Sequence, residues 1–354
     1  MTFLPKYSCL NFSLMLILLL NLQTTYAQTK KKVLPSPFPS VDAVIEQKKG
    51  AFGGKVVVMV WKDGKILYEK EVGEDFKSSA KIPVTYASKW YSTAVILSVI
   101  DQGKLSLDDK VSAYLPIFSK HSKGYITIRD CLANTTGLEA DADKVQRFFQ
   151  RKKFSSLEEE VNFYASKKEI QSNPGTDFFY GNIGLNIAAR VVEIVSKKSF
   201  DRIALEKIFR PLQMKNTSFT NDNNTINPST GAITSAADYL KFLAMILNKG
   251  TLNGKTLLSE ESVMQINTAI NPSLPIKYVP KGMEGLVPAY GVWLQKDSST
   301  DSIAAIYCPG FYGTLPYIDY AKNYACVIIV PHQNKEDNRA NYLAIKEALD
   351  EVIR

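Results

Sequence analysis

Histidine is nearly missing from this 354-residue sequence, which has only His121 and His332. No pair of cysteines has zinc-ligand spacing either, so neither a metal site nor another cofactor is expected. Cysteine itself is scarce. Cys9 sits near the start, and Cys131, Cys308 and Cys326 allow at most one disulfide with an odd thiol left over. That excludes a scaffold held together by disulfides. Beyond the first 27 residues no apolar run has spanning length, so no transmembrane segment is expected in a mature chain. There is no internal repeat and no low-complexity tract. The net charge of +8 is scattered among acids and carries no nucleic-acid signature.

What is present is globular: 45% of residues are hydrophobic and 22% charged, enough to build a large core. Residues 1–27 have the form of a secretory signal. Lys6 supplies the positive end, Leu14 to Leu22 the short apolar centre, and Thr25-Tyr26-Ala27 a small-x-small cleavage site before Gln28. Cys9 precedes the apolar centre, which disfavours lipid attachment. The expected mature protein is exported, periplasmic or secreted. Residues 28–40, basic and with Pro35, Pro37 and Pro39, form a linker.

From residue 41 the pattern is strand-like at both ends and helical in the middle. A short helix runs to about Lys49. Lys55 to Val60 and Lys65 to Val72 flank Asp63-Gly64, a hairpin signature. Apolar helical spacing appears over 89–102, closed by Gly103, and again over 184–196 and 236–248, with shorter helices at 126–133 and 157–166. Strand patterns return at Tyr290 to Gln295, Ser302 to Tyr307, Thr314 to Asp319 and Tyr324 to Pro331, and Lys335 to Ile353 is an amphipathic helix. The expected class is α+β, of the α/β sandwich type. One antiparallel sheet is built from both chain ends (about 41–85 and 286–353), is flanked by helices, and carries a mainly helical insertion (about 86–285).

Five segments in order carry a family likeness: Ala87-Ser88-Lys89-Trp90 with Gly103-Lys104-Leu105-Ser106-Leu107-Asp108-Asp109; Ile126-Thr127-Ile128-Arg129-Asp130 with Thr135-Thr136-Gly137-Leu138; Asn173-Pro174-Gly175; Tyr180-Gly181-Asn182; and Ile208-Phe209-Arg210-Pro211-Leu212. Over about residues 40–353 the chain resembles the serine β-lactamases and penicillin-binding proteins. The nearest likeness is to the class C-like branch with its DD-peptidases and esterases. The resemblance implies a β-lactamase/transpeptidase-like fold and a cleft for small acyl, ester or peptide substrates. It also implies three site elements: Ser-x-x-Lys at the head of a buried helix, Tyr-x-Asn on a loop, and a Lys- or His-x-Gly segment on a strand.

Carried onto this sequence, the lysine is Lys89, whose amine next to a hydroxyl in a desolvated site takes a proton. Tyr180 relays protons to the leaving group and Asn182 orients lysine and substrate. The serine position, three residues before Lys89, holds Tyr86. A phenol is bulkier than a hydroxymethyl group and would fill the space of the substrate carbonyl. Three hydroxyls stay in view. Ser88 would serve only if the backbone shifted by two residues. Tyr86 could itself be the nucleophile beside Lys89. The literal Ser78-Ser79-Ala80-Lys81 lies in a polar stretch before Pro83, outside the buried helix. On the strand, Cys308-Pro309-Gly310 occupies the basic residue's place, with Cys308 and Gly310 lining the substrate region and Cys308 suited to filling core. Three functions follow: an active hydrolase, a non-catalytic relative that binds a small molecule or peptide, and an envelope structural protein without a working cleft.

Overall fold

The computed structural model describes residues 36–139, 154–219, 226–310, 313–331 and 339–354. The expected signal, most of the linker, His332, and the first residues of the helix expected from Lys335 lie outside them. Helix α1, Pro39–Lys48, runs into a short 3₁₀ turn. Strands β1 (Val56–Lys62) and β2 (Lys65–Val72) form the expected hairpin. Its turn places Asp63 at φ 48° and Gly64 at φ 79°, the left-handed pair that a two-residue hairpin needs.

The remaining strands of this sheet come from the far end of the chain: β3 (Val287–Pro288), β4 (Trp293–Lys296), β5 (Ile303–Tyr307), β6 (Thr314–Asp319) and β7 (Tyr324–Ile329). The order is β2-β1-β7-β6-β5-β4-β3, with every pairing antiparallel. The two ends of the chain meet where β1 pairs with β7, Val57 opposite Ile329. The strand expected from Tyr290 begins only at Trp293, because Gly291 turns at φ 74°.

Between β2 and β3 lie helices α2 (Ser88–Ile100), α3 (Ile128–Ala133), α4 (Leu157–Lys167), α5 (Ile183–Ser196) and α6 (Ala236–Leu247). α2 is apolar around most of its circumference and buried at every residue but Ile100, as such a helix must be. Capping fixes several starts. Thr127 and Asp130 form a reciprocal capping box on α3, and Ser156 and Ser235 cap α4 and α6. α6 packs on β1, β6 and β7. On that face Val57, Met59, Ile318, Ala325, Val327 and Ile329 join the helical core.

Alternate residues point the other way. Tyr324 on β7 donates to Asp350 at 2.8 Å, and Asp319 on β6 pairs with Lys346 at 2.7 Å. Both partners belong to the terminal helix α7, Arg339–Val352. With both faces covered, β6 and β7 are buried throughout, while the edge strand β2 is largely half-exposed. Three short pairings outside this sheet had no sequence signal, and in one of them Ile276–Tyr278 runs parallel to Phe178–Phe179. Among the described residues no helix is long and apolar enough to cross a membrane.

Candidate active site

α2 is entered through a 3₁₀ turn, Thr85–Ala87. Thr85 stands at φ 48°, a strained region for a β-branched residue that persists only where its surroundings impose it. Those surroundings are visible. Val84 N–H donates to Ala232 O at 3.0 Å, and the buried Tyr239 hydroxyl donates to Ala87 O at 2.7 Å. Gly310, just past the end of β5, closes on the same turn. A Cβ there would sit 2.5 Å from Val84 O, so the close approach requires glycine. The turn presents the half-buried Tyr86 at the head of α2.

One turn further on, Lys89 is 2% exposed. Its Nζ donates to Gly181 O at 2.7 Å and to Asn182 Oδ1 at 2.9 Å. It also lies 5.0 Å from the Tyr180 ring centre and 5.9 Å from that of Tyr86. Burial pushes its pKa down to about 7, since a desolvated ammonium is disfavoured. When neutral, the amine spends its two N–H groups on those acceptors and keeps a lone pair for an incoming proton. Lys89, Tyr86, Tyr180 and Asn182 therefore meet at one place.

The Tyr180-Gly181-Asn182 loop is held by backbone contacts. Tyr180 N–H donates to Tyr278 O at 3.2 Å, and Phe179 N–H donates to Asn134 O at 3.0 Å. Gly181 N–H donates to Asn134 Oδ1 at 3.1 Å, and Ser229 Oγ donates to Asn182 O at 3.1 Å. Asn134 is a positioning residue that sequence reasoning missed. Its signal was an asparagine directly after α3, where a left-handed residue (φ 56°) ends the helix. The Tyr180 ring meets Tyr86 edge-on at 6.1 Å and 75° and leans on Trp293 at 5.4 Å. Burial raises the Tyr180 hydroxyl pKa well above its ordinary value.

Cys308 is 3% exposed, with Sγ 3.5 Å from Tyr86 O and 3.2 Å from Gly291 O. Burial pushes its pKa up to about 12, so it is a neutral thiol turned toward backbone carbonyls and reaches the site through the Tyr86 turn. Gly310 likewise acts on that turn. Phe311 and Tyr312, next in the segment, lie outside the described residues.

The other serines are accounted for. Ser88 is fully buried and its Oγ accepts from Ala232 N–H at 3.0 Å, a packing role incompatible with the two-residue shift. Ser79 and Lys81 are exposed, and Ser78 sits between β2 and α2, its N–H donating to Glu71.

A buried helix-head lysine bonded to a Tyr-x-Asn loop, beside the end of a strand of an antiparallel sheet, defines a cleft of the β-lactamase-related hydrolase type. The chain belongs to the Beta-lactamase family, whose model matches residues 41–350. It is similar to Protein flp of Staphylococcus aureus (strain MW2), 27% identical over 195 residues that make up 52% of this chain and 38% of flp. The chain thus spans well under half the length of that relative. Among solved structures it is similar to a protein assigned as a beta-lactamase, from Bacteroides dorei DSM 17855. There the TM-score is 0.78 and the identity 25%, covering 90% of this chain and 99% of the other. It also shares its fold with EstCE1, described as a hydrolase with promiscuous acyltransferase activity, at a TM-score of 0.72 and 18% identity, covering 88% of this chain and 97% of that one.

Proposed function

We propose that the protein is an exported member of this family that binds small acyl, ester or peptide compounds in its cleft, and that Tyr86 blocks the serine-type acylation step. The observation that carries this is the position of the Tyr86 ring, beside both the Lys89 amine (5.9 Å) and the Tyr180 ring (6.1 Å). Acyl transfer needs a nucleophile within about 3 Å of the carbonyl. A phenol ring at the head of α2 would occupy the approach, while the proton-handling groups remain assembled. The acyl chemistry of EstCE1 and the family as a whole supports acyl compounds as the ligand class. Export rests on the signal form of residues 1–27 and predicts a mature N-terminus at Gln28.

A second reading has one observation in its favour. With its pKa near 7, Lys89 is a competent base. It would take the phenolic proton of Tyr86, whose oxygen then adds to the carbonyl. Tyr180 would pass a proton to the leaving group, and water would cleave the resulting aryl ester.

Purified mature protein, tested with a panel of esters, D-amino acid peptides and β-lactams, separates the two. The binding role predicts saturable binding without turnover. Turnover that Lys89→Ala abolishes would overturn it in favour of the second reading.

A further inference from the structure

We propose that the cleft takes neutral compounds bearing a planar aromatic group in preference to carboxylates. This rests on the reading of the cleft as a binding site and names the ligand it would select.

Two observations carry the preference. The first is the wall of rings. Tyr86 and Tyr180 are half-buried and meet at 75°, and Tyr180 is backed at 5.4 Å by Trp293, which is 4% exposed. Rings held in this way present faces and edges at fixed angles, onto which a ligand ring adds with little ordering cost.

The second is the poverty of positive charge against these rings among the described residues. Cys308, just past the end of β5, is a buried thiol facing carbonyl oxygens and offers no charge. The Lys89 amine already serves Gly181 O and Asn182 Oδ1, and its pKa of about 7 leaves it mostly neutral at pH 8. Lys277, on the strand beside the Tyr180 loop, is exposed, and water screens its pull on an anion. A carboxylate seated against the rings would be desolvated without a counter-charge.

The test is calorimetric titration of the mature protein at pH 8 with three probes: N-phenylacetyl-D-alanine amide, N-phenylacetyl-D-alanine, and N-acetyl-D-alanine amide. The neutral aromatic amide should bind roughly tenfold more tightly than either of the others. In a Tyr86→Ala variant its advantage over the acetyl amide should shrink. If the free acid binds as tightly as its amide, or the ring adds nothing, the preference is overturned while the cleft stands as a binding site. If none of the three binds, the binding role falls with it.

Discussion

Among single residues, Lys89 bears most directly on the chemistry of the site. It is buried with no carboxylate partner among the described residues, and two neutral oxygens accept from it. Its folded pKa of about 7 lies below the ordinary lysine value of 10.5. Between those values the unfolded chain holds a proton that the folded chain does not. The cost of burying this lysine is therefore full below pH 7 and is relieved as pH rises toward 10.5. Urea unfolding of native protein and Lys89→Met at pH 7.5 and 9 checks it. The native protein should gain about 2 kcal/mol relative to the variant over that interval. A difference independent of pH would mean that Lys89 titrates at its ordinary value. Lys89, Tyr180 and Asn182 were legible through the resemblance of their flanking motifs to the family, each motif being contained in one helix or one loop. Asn134 was not legible, since its role depends on Gly181, 47 positions away.

At the scale of elements, the site depends on how a strand end meets a helix start. Tyr86 is aimed by the 3₁₀ turn before α2, and that turn is pressed by Gly310. In a Gly310→Ala variant the new methyl would collide with Val84 O at 2.5 Å, and the backbone carbonyl has little room to yield. Urea denaturation should show a loss of about 1–3 kcal/mol. A variant as stable as the native protein would show that the contact is slack.

Helix α2 was legible because its residues are apolar on nearly every side, and the β1–β2 hairpin because Asp63-Gly64 marks its turn. The strand Ile276–Tyr278 was not. Three residues give no periodicity, and its partner lies 98 positions away in sequence. The end of the expected strand at Tyr290 failed for a local reason: Gly291 lies so close to α2 that a Cβ would sit 2.4 Å from Thr93 Oγ1. The chain therefore turns there and extends only from Trp293.

At the scale of the molecule, two chain ends build one sheet and the chain between them supplies the lysine helix and the Tyr-x-Asn loop. The β1–β7 pairing joins residues more than 260 positions apart. No pattern within either strand announces such a partner, and the expectation of a shared sheet came from strands being confined to both ends and from the order of the family motifs. On the proposed reading, the fold keeps the family's cleft and carries Tyr86 where the covalent bond would form. That change is the central claim. Its most direct test is the intact mass of the mature protein after incubation with a penicillin and with an activated ester, beside a Tyr86→Ser variant. The account predicts no adduct on the native protein and an acyl adduct on the variant. An acyl adduct on the native protein, mapped to any residue of this cleft, would contradict it.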